Sequence, residues 1–147
     1  MSYKTEDIPA EGLLYKYFPR SKYDKTGRPT AVSYLSVGSG MSTNWSKYCS
    51  AEECRSGLNR PHTFGVVSLH VECVRQEPVA LTVQHSPRVW KGRLRQGQSH
   101  TDVLVDNDDL EEQWKLYEMA VPVIAPDPPE ISKSEKVALE RAARKRG

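Results

Sequence analysis

The chain has 147 residues, a charged fraction of 27% and a formal net charge of +2. A domain of this length buries a core of its own, so neither a disulfide framework nor a structural metal is needed for folding. The near-neutral balance excludes a whole-molecule field for polyanions; any such role must come from local clustering.

Ten prolines and nine glycines point to many turns and short helices. The three cysteines, Cys49, Cys54 and Cys73, cannot all pair within the chain. The opening MSYKTEDIPAEG holds no apolar signal core, and no run approaches a membrane span. A cytoplasmic protein with reduced thiols and no membrane partner is the expectation.

Residues 1–12 read as a polar N-terminal arm. Leu13–Phe18 carries strand-forming residues up to Pro19, and Ser21–Pro29 is a loop. Thr30–Val37 reads as a second strand, broken by Gly38 and Gly40, with Asn44–Tyr48 short and irregular. Ser50-Ala51-Glu52-Glu53 is a capping box that opens a two-turn helix, stopped at Gly57. Phe64–Val71 is a strand rich in valine, and Glu72–Glu77 one helical turn. Val79–His85 and His100–Val105 are strands flanking a long loop at 86–99.

Asp108–Ala120 is the longest helix of the domain, with acids in its first turn. Leu110, Trp114 and Tyr117 recur at helical spacing, and Leu116 and Met119 widen that apolar stripe. Val121–Ile124 is a last short strand. The pattern predicts one α+β domain over 13–124, with a mixed, mainly antiparallel sheet and two or three short helices. A stiff Pro-rich linker at 125–131 leads to a basic helical tail at 132–147, with a second capping box at Ser132-Lys133-Ser134-Glu135. That tail carries six cations against two acids and few large apolar residues, so it is expected to project.

From Pro78 to Thr101 there is no acidic residue, and Arg88, Trp90, Lys91, Arg93 and Arg95 lie within that span. His85 ends the strand that enters the loop and His100 begins the strand that leaves it. A hairpin would bring both imidazoles to one rim beneath the guanidinium groups. Guanidinium binds phosphate or carboxylate through paired hydrogen bonds, and an indole beside it can stack on a base. Arg88, Trp90, Lys91, Arg93, Arg95 and Thr101 are therefore the candidate ligand-binding residues. His85, His100 and Asp102 are the candidate catalytic ones, since alternation puts His100 and Asp102 on one strand face, with Thr101 and Val103 on the other. A solvated charged loop and a polar strand face are the plainer alternatives. Cys49, Cys54, His62 and His70 form a loose two-cysteine, two-histidine inventory for zinc, but half-buried thiols are the favoured reading and no metal is expected. No Walker loop, nucleophile elbow or HExxH helix is present, and no cofactor is expected.

Several strings occur together: MSTNWSKYCSAEECRSG from Met41, GVVSLHVECVR, VQHSP and SHTDVLV. In that order they resemble the motifs of a family of small uncharacterised bacterial proteins, over about Leu13 to Ala120. The resemblance implies no mechanism. It singles out His85, His100, Thr101 and Asp102, with Trp45, Lys47, Tyr48, Glu53 and Arg55. Two departures stand out: Tyr15-Lys16 replaces an arginine pair, and Gln96-Gly97-Gln98-Ser99 replaces a segment carrying Asn-Arg.

Three functions follow as expectations. One is a binding module that recognises nucleic acid or an acidic protein surface through the basic loop and the tail. A second is a small enzyme on a phosphoester or nucleotide, with His85 and His100 as acid and base. The third is a subunit that docks into an assembly through its C-terminal helix.

Overall fold

The computed structural model describes residues 2–129 and 133–146. Its elements run β1 (Leu13–Pro19), β2 (Met41–Trp45), α1 (Ala51–Arg55), β3 (Phe64–His70), α2 (Val71–Arg75), β4 (Val83–His85), α3 (Leu94–Gln98), β5 (His100–Val103), α4 (Leu110–Met119), β6 (Val121–Ile124) and α5 (Lys133–Arg146). The six strands form one antiparallel sheet in the order β4-β5-β2-β1-β3-β6. This is the α+β architecture that the sequence pattern implies.

Register decides which side chains share a face, because directly paired residues point the same way and neighbours alternate. Val83, Val103 and Met41 form one row across the sheet, His85, Thr101 and Thr43 another, and Trp45, Leu14 and Leu69 a third. All nine are buried. This face packs against Ile8, Tyr34, Val71, Val74, Leu81, Leu116 and Ala120 to make the main core. The intervening rows are polar. Gln84, Asp102 and Ser42 form one, and His100, Asn44, Tyr15 and Ser68 the next. On this second face Cys49, Cys54 and Val66 form a smaller cluster with Tyr15, Tyr17 and Ala51. Helix α1 supplies that cover, and both halves of its capping box are formed between Ser50 and Glu53.

Several sequence expectations change. Thr30–Val37 is not a strand: Ala31–Ser33 is a single 3-10 turn, with the Thr30 and Ser33 hydroxyls 2.7 Å apart. Its apolar residues serve a turn, and the buried Tyr34 ring packs on Phe18 at 5.0 Å. The second strand forms instead at Met41–Trp45, overlapping the Asn44–Tyr48 segment expected to be irregular. Pairing of the Val79–His85 segment starts only at Val83, because Ala80 takes a left-handed backbone with φ of 51°. The loop at 86–99 contains the short helix α3.

The N-terminal arm belongs to the domain. Ile8 is in the main core, and the N–H groups of Val71 and Glu72 donate to Gly12 and Ala10 carbonyls. At the other end, helix α5 is exposed at every side chain from Ser134 to Lys145. The capping box placed at Ser132 lies outside the described residues.

The α4 stripe meets the core only in part: Leu116 is buried and Tyr117 and Met119 pack against the core. Gln113, Leu116 and Ala120 turn inward, while Trp114 remains 52% exposed and Leu110 60% exposed. The Gln113 amide donates to the Tyr34 carbonyl, so a polar residue holds an inward position by satisfying a buried acceptor. No described helix is long and apolar enough to cross a membrane.

Candidate functional site

The loop after β4 folds back over the polar face of the sheet. Three contacts hold it. The Arg88 N–H donates to the Gly97 carbonyl at 2.8 Å, and the Ser86 N–H donates to the His100 carbonyl at 2.9 Å. The Gln96 amide, buried at the end of α1, donates to the Glu53 and Ser56 carbonyls at 2.7 and 2.9 Å. The Ser56 carbonyl lies just past the last turn of α1, where carbonyls lack intrahelical partners, while the Glu53 carbonyl also accepts from the Ser56 N–H at 3.2 Å. Gly97 allows the close approach: a Cβ there would stand 2.2 Å from the Arg88 carbonyl oxygen.

This folding carries Trp90 onto His100, ring centroids 5.3 Å apart, edge to face. The Arg93 guanidinium lies 5.5 Å from the Trp90 ring, within cation–π range. Arg93 Nε is buried and has no hydrogen-bond partner among the described residues. Arg88 and Lys91 are exposed, and among the described residues no carboxylate forms an ion pair with either. Arg95 is different, because its Nε meets Glu53 at 2.9 Å. The structure therefore brings Arg88, Trp90 and Arg93 to His100 and Asp102, leaves Lys91 exposed next to Trp90 in the chain, and occupies Arg95 with an acid of the same chain.

Beneath the indole lies a hydrogen-bonded cluster. His100 Nδ1 donates to the Ser86 carbonyl at 3.0 Å, leaving Nε2 to accept from the Ser42 hydroxyl at 3.0 Å. Asp102 is buried and accepts from the Ser39 and Ser86 hydroxyls at 3.0 and 2.9 Å. Its other oxygen lies 4.0 Å from His100 Nε2. Burial pushes the His100 pKa below the ordinary 6.5, with the Arg88 charge adding to that; the Ser86 carbonyl and Asp102 pull the other way without prevailing. The imidazole is thus a neutral base whose free lone pair faces a hydroxyl.

A depressed histidine makes the fold acid-sensitive. Between pH 6.5 and the lowered value, the unfolded chain binds a proton that the folded chain does not, so stability falls as pH drops through that window. Urea midpoints measured from pH 7 to about 5 are expected to decline in the wild type and to decline less in His100→Gln. Equal slopes in the two proteins would show that His100 is not the group responsible. Asp24 acts in a separate window. Hydrogen bonds, chiefly from Thr26, hold its carboxyl down at about 2, so its contribution is lost only below 3.8.

Two candidate residues fall on the wrong side of the sheet. His85 pairs with Thr101, so both point to the core face while His100 and Asp102 point to the other. His85 Nδ1 accepts from the Glu6 N–H at 3.0 Å and its Nε2 donates to the Gln98 carbonyl at 2.8 Å. Its ring packs edge-on against Trp45 at 5.2 Å. Thr101 is fully buried and donates to the Ser99 carbonyl. The two imidazoles therefore do not share a mouth, and Thr101 is out of reach of a ligand. The hairpin forms as expected, but an odd register offset separates its histidines.

The remaining motif residues are structural. Lys47 and Tyr48 hold Glu6 of the arm, and the Arg55 guanidinium donates to the Phe64 carbonyl at 2.8 Å. The zinc inventory does not assemble. The Cys54 thiol donates to Asn44, His70 is exposed at the end of β3, and His62 lies in a 3-10 turn. Among the described residues no group of three or more His, Cys, Asp or Glu could hold a metal. Ser39, Ser42 and Ser86 were not anticipated. Only the pairing of β2 with β5 and the return of the loop bring them to His100, and serines alone carry no such signal.

No family model, curated protein or solved structure matches the chain, so the site is read from its own geometry.

Proposed function

We propose that the protein is a binding module for a phosphate-bearing polyanion, and specifically for single-stranded nucleic acid. The observation that carries this is the Arg93 guanidinium over the Trp90 ring, in a loop whose Arg88 and Lys91 are exposed, with none of the three cations ion-paired to a carboxylate among the described residues. Cations that track phosphates, combined with an aromatic platform for a base, are what single-strand binding requires. An acidic protein surface offers carboxylates but no base to stack.

The test is fluorescence anisotropy with a short labelled DNA oligonucleotide, using the full chain. Trp90→Ala is expected to weaken binding about tenfold, in line with the cost of losing one stacked base. Unchanged affinity would remove the platform from the reading. Equal competition by polyglutamate would redirect it to acidic proteins.

A second reading has one specific observation behind it. Ser42 is exposed, its hydroxyl faces the lone pair of a neutral His100, and the far nitrogen is fixed by a carbonyl. A nucleophile, a base and an orienting group stand in the order that serine acyl transfer uses. A fluorophosphonate probe would label Ser42 in the wild type and not in His100→Ala. Absence of labelling, with the protein folded, excludes this chemistry.

A further inference from the structure

We propose that the basic C-terminal helix α5 docks into an apolar, acid-rimmed groove on a second copy of this chain. The groove has a volume of about 530 Å³ and is lined by Thr30, Ala31, Val32, Leu110, Glu111 and Trp114. Val32, Leu110 and Trp114 are each more than half exposed. An exposed apolar patch of this kind, lined in part by a tryptophan, is typical of a protein–protein contact. The Trp114 ring is already ordered, stacked on Tyr117 at 5.0 Å, so little freedom is lost when a partner covers it.

Charge selects the occupant. Across 106–119 the sequence places six carboxylates against one lysine, and Glu111, which lines the groove, reaches Lys115 only at 3.9 Å. Two such surfaces repel each other, which excludes a contact of groove on groove. The tail over 132–147 has the opposite sign, with six cations against two acids. On it Leu139, Ala142 and Ala143 recur at spacings of three and four, giving a narrow apolar face among arginines. That face complements a narrow apolar groove with an acidic rim.

Helix α5 also lacks cover. It has 14 residues, a length at which an isolated helix is marginal in water. Every side chain from Ser134 to Lys145 is exposed, including Leu139. Its own groove lies open, and the preceding linker is fastened elsewhere. The Asp127 N–H donates to the His62 carbonyl at 2.8 Å, and Arg20 donates to the Pro128 carbonyl at 3.1 Å. The tail thus follows a stem fastened at Asp127 and Pro128, and its apolar face at Leu139 remains exposed to a neighbour. Reciprocal exchange of two tails closes a two-fold dimer.

Sedimentation velocity on the full chain at low salt tests this. The wild type is expected to pass from monomer to dimer across micromolar concentrations, with high salt dissociating it. Trp114→Ala and Leu139→Glu should each weaken the dimer about tenfold or more. An equimolar mixture of the two variants should associate again, since it restores one intact groove and one intact tail. Three results overturn the proposal. The wild type could stay monomeric at every concentration, whether its tail is free or folded back on its own groove. The dimer could survive both substitutions. Or the mixed variants could remain apart.

Discussion

Gly97→Ala is expected to destabilise the fold by about 3 kcal/mol, the upper part of the range for forced overpacking, and to abolish oligonucleotide binding. The new methyl carbon would lie 2.2 Å from the Arg88 carbonyl oxygen and 3.1 Å from the Trp90 nitrogen. Both are backbone atoms, so no rotamer change relieves the clash. The loop must lift from α3, and Trp90 and Arg88 move with it. Gly92→Ala is the control. Gly92 has a positive φ of 79° but nothing within 4 Å of its Cβ position, so only the left-handed strain of about 1 kcal/mol applies. Urea unfolding followed by circular dichroism, with anisotropy on the same samples, separates the two effects. A Gly97→Ala protein with wild-type stability and affinity would mean that the loop does not depend on this contact.

The second large effect is in α4. Leu116→Ala should cost about 2–5 kcal/mol, because a fully buried leucine leaves a cavity in the main core. Trp114→Ala should change stability by less than about 1 kcal/mol, although the side chain removed is larger, because half of it already faces water. Chemical denaturation of both variants checks the order. The reverse order would mean that Trp114 and not Leu116 faces the core.

That helix shows where sequence pattern stops short. Of the expected stripe, Leu116 is buried and Tyr117 and Met119 pack against the core, yet Leu110 and Trp114 stay exposed and the polar Gln113 faces inward. Periodicity locates a helix and its caps, as at Asp109, whose carboxylate accepts from the Glu112 N–H. It cannot tell a core face from an unpartnered binding face, because both are apolar. The α1 capping box was readable because its contacts span three residues. The strand expected at Thr30–Val37 failed because strand-type residues also occur in turns: Tyr34 is buried there, while Val32, Leu35 and Val37 are exposed.

The candidate site was legible in part. The absence of acids from Pro78 to Thr101 located the basic loop, and alternation gave the shared face of His100 and Asp102. The facing of His85 was not legible, because it depends on register, and a one-residue offset reverses a side chain. Ser42 was invisible for the same reason: it meets Asp102 across β2 and β5, some sixty residues apart in the chain. Glu53 neutralises Arg95 only because the Gln96 amide ties α3 to the end of α1.

The central claim is that phosphates are held by the exposed cations of the loop at 86–99. The salt dependence of oligonucleotide affinity measures this directly, as the slope of log affinity against log salt. Each phosphate contact to a single strand contributes about −0.7 to that slope, so replacing Arg88 and Lys91 together with alanine should make it shallower by about 1.4. A double variant with the wild-type slope would show that these two cations touch no phosphate, and would contradict the proposed function.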